Sequence, residues 1–374
     1  MENIISLPQI DELNIAALSR LFSNTTNSYK YLFFLSLLDI LKSQHFENTP
    51  IKLQDLMVRM LVKAWYPHTY FKLSFGKQDK IAENLKSFNL PFAYSNSISP
   101  SLNEDKLIQQ INSYKTDNSL MKYVPYRLMT PFFDDELRKI KKDNDKNSLI
   151  VKLCDNYFHT KKPIYKFIVV DMADAIVVHP QWIEYLRIHF SIVKAWVSWE
   201  WLKYMQKCNP NVPAVVNKLY MPQKRESLKE QTQYWKVVLA KEQLNCIYSK
   251  KILGKEAFSL DHYLPWSFLV HDQLWNLIPT FHEVNSSKSD NLPSEQYFQQ
   301  FVDLQHLGLT LSYSLMAKND WIKHVECFFS DLKVSDEQAL LQKDKLKSAY
   351  ETTLLPLLSL AITQGFSPGW SYTP

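Results

Sequence analysis

Between Ser259 and Pro293 the chain reads SLDHYLPWSFLVHDQLWNLIPTFHEVNSSKSDNLP. This stretch sets Asp261 beside His262, puts a proline three residues after the histidine, and adds Asn276, Asn285 and Lys288 between short apolar runs. Such a set is either a polar loop that happens to be punctuated this way or a metal-dependent active site. Hydrolysis of a phosphodiester needs an activated water, a cation against the charge that builds on the phosphate, and stabilisation of the leaving oxygen. Histidine suits the base, because its ordinary pKa of about 6.5 lies near working pH. A hard divalent ion such as Mg2+ takes oxygen ligands, which Asp and Asn supply with little bulk. If His262 ends a strand, Asp261 points to the opposite face unless the chain bends to bring both to one site. On a helix that follows, Asn285 and Lys288 lie one turn apart and can share a face.

The elements that must position these residues are mostly helical. Apolar residues recur at three- and four-residue spacing in Tyr31–Leu41 and Leu53–Trp65. Asn89–Ser101 reads as a loop and Lys139–Lys146 as a charged connection. Pro163–His179 fits either a short hairpin or a buried helix. Pro180 opens a predicted long aromatic helix over Gln181–Lys207, whose stripe of Trp182, Tyr185, His189 and Trp196 reads as core packing. Asn209–Pro222 carries three prolines and reads as a linker. Ser227 and Glu230 then fit a capping box, which predicts a helix to about Gln243 with Lys229 and Lys236 near one face and Leu228, Trp235 and Leu239 on another. Cys246–Lys288 reads as two short strands around a turn followed by a helix. Two further helical stretches and an irregular tail, FSPGWSYTP, complete the chain. The expected organisation is a mainly α protein: a helical domain over 1–208, a linker over 209–226, a small module over 227–300, and a helical segment over 301–374 packed on one of the two domains.

Composition narrows the possibilities. The 374 residues are 46% hydrophobic, enough for a packed core, and include only five glycines. No GxxxxGK[ST] or GxGxxG occurs, so neither a phosphate loop nor a dinucleotide fingerprint is present. The four cysteines, Cys154, Cys208, Cys246 and Cys327, form no CxxC pair and suggest neither a zinc ribbon nor a disulfide framework. The first residues carry no positive leader followed by an apolar run, and Tyr31–Leu41 is too short to span a bilayer, so a cytoplasmic protein is expected. From Lys218 to Lys255 there are nine Lys or Arg against three Glu, a local +6 in a chain of net +5. This patch, directly before the Asp-His pair, is either a solvated basic helix or the footprint of a polyanion partner.

At the residues quoted, the chain resembles the HNH (ββα-metal) endonucleases, and most of all the HNH modules of RNA-guided CRISPR nucleases. CIYSKKI (Cys246–Ile252) is similar to the opening of those modules and LDHYLPWSF (Leu260–Phe268) to their Asp-His-x-x-Pro-x-Ser pattern. Asn276 and Asn285 fall 14 and 23 residues after His262, as in those modules, and KSDNLP (Lys288–Pro293) is similar to their ending. The resemblance covers residues 246–293. It implies His262 as the general base, Asp261 and Asn285 as ligands of one Mg2+ or Mn2+, Asn276 as the residue that orients the histidine through backbone hydrogen bonds, and Lys288 as a phosphate contact. Many HNH proteins also brace this fold with two CxxC pairs around zinc. Here Cys246 stands at the first such position but Ser249 stands at the second, so no structural zinc is expected and Cys246 reads as a buried apolar residue.

The resemblance thus implies a DNA-cutting nuclease, with Lys224, Arg225, Lys229, Lys236, Lys250 and Lys251 as candidate contacts to the nucleic-acid backbone. One HNH site acts on one strand per visit, so clean double-strand breaks would imply pairing. Two other readings stand beside it: a non-catalytic module that only binds nucleic acid or a partner, and an interaction protein in which residues 1–208 dock a complex or self-associate. The chain lacks the RuvC-like half of an RNA-guided nuclease, so no guide RNA is inferred. By analogy of context, a stand-alone HNH protein with a large helical domain fits antiphage defence or a mobile element.

Overall fold

Helix Tyr29–Ser43 buries residues on every side, from Tyr31 to Leu41, and a helix apolar all round belongs in an interior. Helices Leu53–Trp65 and Phe190–Cys208 pack against it. The computed structural model describes residues 7–88, 100–114, 118–138, 140–220, 227–255 and 257–373. It is mainly helical and divides into two units: Met1–Pro210 with Val215–Gln223, and Asn211–Ala214 with Lys224–Pro374.

In the first unit, Pro163–His179 resolves as a hairpin. Strands Tyr165–Val170 and Ala173–Val178 pair antiparallel with Phe167 opposite Ile176, and Ile51–Lys52 adds a short third strand beside Ala173–Val178. Asp171 and Met172 make the turn with φ of 49° and 60°, the left-handed pair that a two-residue hairpin loop requires. The single helix expected over Gln181–Lys207 is two, Pro180–Ile188 and Phe190–Cys208. They break at His189, whose ψ of 19° leaves the helical region while its ring tilts onto Tyr185 at 4.8 Å. Trp182, Tyr185 and Trp196 are buried, as the apolar stripe predicts. Residues 89–99 of the expected loop lie outside the described residues, and its last two residues begin helix Pro100–Ser113.

In the second unit, helix Lys229–Lys241 turns Tyr234, Trp235, Val238 and Leu239 into the core. The capping box does not form. Leu228, with ψ 26°, takes the N-cap position, so the helix begins one residue later than Ser227 would allow. Helix Phe298–Leu315 crosses this element at Gly308, where a built Cβ would stand 3.0 Å from the Trp235 ring, so a side chain there would require the ring to give by a few tenths of an ångström. Cys246–Leu253, expected as a strand, is instead a tight loop. It is closed by Cys246 N to Lys251 O and Lys250 N to Cys246 O, both 2.9 Å, with one isolated bridge between Asn245 and Ile252. Lys250 has φ 60°, which ends any extended run there.

The hairpin that positions the conspicuous residues pairs Ser259–His262 with Leu277–Thr280, antiparallel, and helix His282–Lys288 follows at once. The result is a ββα unit. Residues from Tyr234 to Phe366 share one buried cluster, so the C-terminal helices and the ββα unit form a single core. Gln305 donates to Leu277 O at 2.9 Å and Tyr350 to Trp275 O at 2.8 Å, tying helix Phe298–Leu315 to the second strand and helix Lys343–Gln364 to the turn just before it. The tail, irregular as expected, is nonetheless bound. Leu292 N donates to Ser367 O, Trp370 N to Leu292 O and Ser294 N to Trp370 O, at 2.8–2.9 Å.

Candidate active site

Successive residues of a strand face opposite sides, and Asp261 and His262 accordingly meet different partners. Asp261 is 1% exposed. Its Oδ2 accepts from the Tyr248 hydroxyl at 2.7 Å and its Oδ1 from the Lys288 ammonium at 3.0 Å. Burial, and then the Asp261 charge, push the Tyr248 phenol well above its ordinary range, so it remains a donor. The Tyr248 ring is itself braced edge-on by Tyr297 and Trp370, at 5.0 and 5.1 Å.

His262 turns the other way. Its Nε2 lies 2.7 Å from Oδ1 of Asp272, in the loop between the two strands, and both side chains are partly open to solvent. In a neutral imidazole, a carboxylate there favours the proton on Nε2, which leaves the lone pair on Nδ1. Beside it, the neighbouring His271 packs on Trp275 at 5.4 Å. Its pKa is lowered, by burial first, with Asp331 opposing.

Asn276 is fully buried at the start of the returning strand. Its side chain brackets Leu264, with Nδ2 donating to Leu264 O and Oδ1 accepting from Leu264 N, both 2.9 Å, while its main-chain O accepts from Tyr263 N at 2.8 Å. These bonds fix the backbone immediately after His262. Asn285 is half-buried and donates from Nδ2 to Leu260 O at 3.1 Å, which directs the amide oxygen away from that carbonyl. Lys288, expected to face a phosphate, is fully buried and donates to Asp261 and, at 2.6 Å, to His262 O.

Two oxygens, Asp261 Oδ1 and His262 O, therefore converge on the Lys288 ammonium. Asn285 lies one turn before Lys288 on the same helix. A carboxylate with an amide oxygen is the hard donor set that Mg2+ or Mn2+ takes, but both Asp261 oxygens are occupied here, by Tyr248 and Lys288, and among the described residues no group of three or more His, Cys, Asp or Glu is placed to hold a metal. Cys246 is buried with Sγ 3.1 Å from Thr280 Oγ1, and its neighbour Ser249 donates from N to the same sulfur at 3.5 Å.

The basic patch is not uniform. Lys229 and Lys251 are exposed, and Lys236 is half-buried. Lys250 is turned onto its own module, where it donates to Ile247 O at 2.7 Å and to Gln300 and lies over the Tyr297 ring. Lys224 and Arg225 lie outside the described residues. His282 and Glu283 stand exposed on the first turn of the last helix.

Two residues of the site escape a reading of the sequence. Asp272 looks like any loop acid, and only its position between the Asp-His pair and Asn276 hints at a role. Tyr248 sits within CIYSKKI, where nothing marks its hydroxyl as the partner of a carboxylate 13 positions on.

Residues 246–294 match the model of the family described as HNH endonuclease. No curated protein and no solved structure matches the chain. The match supports a nuclease-type activity on nucleic acid, and HNH nucleases generally use a divalent metal. Among the described residues, no helix is long and apolar enough to cross a membrane.

Proposed function

We propose that the second unit is a metal-dependent endonuclease that hydrolyses DNA phosphodiester bonds, with its catalytic residues in 246–294. The observation that carries this reading is the 2.7 Å contact between His262 Nε2 and Asp272 Oδ1 at the end of the first strand. With its proton held on Nε2, His262 takes a proton from water at Nδ1, and Asp272 is the positioning residue that fixes this tautomer. Asp261 and Asn285 would hold one Mg2+ or Mn2+. When bound, the ion neutralises charge on the phosphate and stabilises the leaving oxygen. Asn276 keeps the backbone beyond His262 in place through its bracket on Leu264. Lys288 balances Asp261 and holds the His262 carbonyl in this structure, and is available to a phosphate once it leaves the carboxylate. Lys229 and Lys251 present exposed cations for the DNA backbone, contacts that give affinity without sequence choice. Lys224, Arg225 and Lys236 extend the same charge along the chain.

The protein acts in the cytoplasm as an effector of antiphage defence or of a mobile element, with residues 1–208 serving a partner or self-association. The ion pair between Lys288 and Asp261 favours a second reading, in which the module binds nucleic acid and stays latent until a partner displaces the lysine. Plasmid cleavage by the purified protein and by His262→Ala, in Mg2+, Mn2+ and EDTA, tests the first. Metal-dependent nicking that disappears in the variant is the expected result. Equal cutting by both proteins would remove His262 from the mechanism. DNA that is shifted on a gel but never cut would support the latent module.

A further inference from the structure

The first unit contains a cavity of about 540 Å³. That lies within the ~300–1,000 Å³ typical of small-ligand sites. Its wall is built by the loop Ser23–Asn27, by helix Val124–Leu128 with the turn that follows, and by the first turn of helix Asp143–Asn156. Four cations, Arg20, Lys30, Arg127 and Lys146, line it against two carboxylates, Asp134 and Asp143.

The carboxylates are already engaged. Arg20 pairs with Asp134 at 3.4 Å and Arg127 with Asp143 at 2.5 Å. Asp143 accepts from Nη2, one end of a guanidinium that has five N–H donors. The Lys30 ammonium donates to the neutral Leu21 O at 3.0 Å. Burial, and then the charge of Arg127, bring its pKa down to about 8. Two cations drawn into one half-buried wall repel each other, and an anion between them turns that repulsion into attraction. The wall offers a further group to satisfy, because the Thr130 hydroxyl oxygen is buried without a hydrogen-bond partner. Ser23–Asn27, read SNTTN, adds hydroxyls and amides, and Tyr123 and Pro131 give the cavity an uncharged side.

We propose that this cavity is a binding site for a small organic phosphate of nucleotide size, its phosphate held between Lys30 and Arg127 and its uncharged part along Tyr123 and Pro131. Phosphate chemistry follows from paired cations with hydroxyl and amide donors, since a guanidinium and an ammonium both favour a multiply charged oxyanion. The size follows from the volume, which inorganic phosphate would leave largely empty.

Isothermal titration of the full chain in EDTA with AMP, ATP, fructose 1,6-bisphosphate and inorganic phosphate provides the test. At least one of the three organic phosphates is expected to bind, and more tightly than inorganic phosphate. Lys30→Gln and Arg127→Gln should each weaken that binding by about tenfold or more, the loss of one charge-assisted hydrogen bond. Asp134→Asn, which releases Arg20 from its carboxylate, should strengthen it, a gain that misfolding cannot imitate. Binding of none of the three, or unchanged affinity in both glutamine variants, overturns the site. Inorganic phosphate binding as tightly as every organic probe overturns the assignment to an organic phosphate.

Discussion

The Lys288 ammonium lies 3.0 Å from Asp261 Oδ1 at a place where neither side chain is more than 2% exposed. The pair spans the helix and the first strand of the ββα unit, and it joins the two ends of the 28-residue stretch from Asp261 to Lys288. A charge buried this deeply is tolerated only with its partner, because removing one member leaves the other desolvated and unpaired. Lys288→Met should therefore cost about 3–5 kcal/mol in denaturant unfolding. Adding Asp261→Asn to it should return part of that loss. Equal stability of Lys288→Met and wild type would mean that the Tyr248 hydroxyl alone suffices for the buried carboxylate.

Asp272→Asn keeps the shape of the side chain but removes the carboxylate that holds the Nε2 proton. An amide can present either its oxygen or its nitrogen to the ring, so the tautomer is no longer fixed. DNA cleavage should fall by about 100-fold or more, within the range carried by general acid–base groups. DNA affinity and circular dichroism should stay unchanged. A parallel loss in binding would assign Asp272 to the fold or to the nucleic acid rather than to His262.

Asn276→Ala removes both hydrogen bonds of the bracket and strands the main-chain N and O of Leu264, a residue that is itself fully buried. Each stranded polar group costs ~1–3 kcal/mol, so a loss of about 3 kcal/mol is expected in urea unfolding. Cleavage by the folded fraction should fall too, because the same bonds fix the chain next to His262. Asn276→Asp, able to accept from Leu264 N but not to donate to its O, should lie between the two.

Lys218, fully buried at the end of the short helix Val215–Lys218, has its pKa pulled down to about 7 by burial. The unfolded chain holds this proton up to its ordinary value of about 10.4, so between pH 7 and that value the unfolded state binds more protons than the folded one. Lys218 thus makes stability rise as pH climbs through that window, with its penalty fully present below pH 7. Lys218→Met should remove that slope and stabilise the protein at pH 7 by a few kcal/mol, since each tenfold change in proton affinity is worth ~1.4 kcal/mol. Thermal denaturation of both proteins at pH 7 and pH 9 checks this, and a gap that does not narrow at pH 9 would reject it.

Local patterns carried much of this fold. Helix Leu53–Trp65 has the bounds its apolar spacing predicts, and Tyr31–Leu41 lies within helix Tyr29–Ser43, because three- and four-residue periodicity is a property of neighbouring residues. The residues of the candidate site were legible for a different reason: their types and spacings resemble a known family. What the chain did not disclose depends on contacts distant in sequence. CIYSKKIL has the composition of a strand, yet the strand beside Leu277–Thr280 is Ser259–His262, chosen by the pairing of Asp261 with Ile278 across an inserted helical turn. Ser227 and Glu230 have the right letters for a cap, but Leu228 takes the N-cap position. Asp272 gains its significance only when the 14-residue excursion between the two strands, residues 263–276, folds back to place it against His262.

The pairing of Leu292–Ser294 with Ser367–Trp370 has a bearing on how the protein is made. Trp370 is one of the two rings that brace Tyr248, and Tyr248 holds Asp261. The two ring positions are 122 residues apart, the difference between 370 and 248. At ~5–20 residues per second, a ribosome reaches the second roughly 6–24 s after the first. For the later part of that interval, once Asp272 has been made, the nascent module has its histidine and its carboxylates but not the wall behind them. The wall behind Asp261 is therefore among the last parts of the module to be completed during translation.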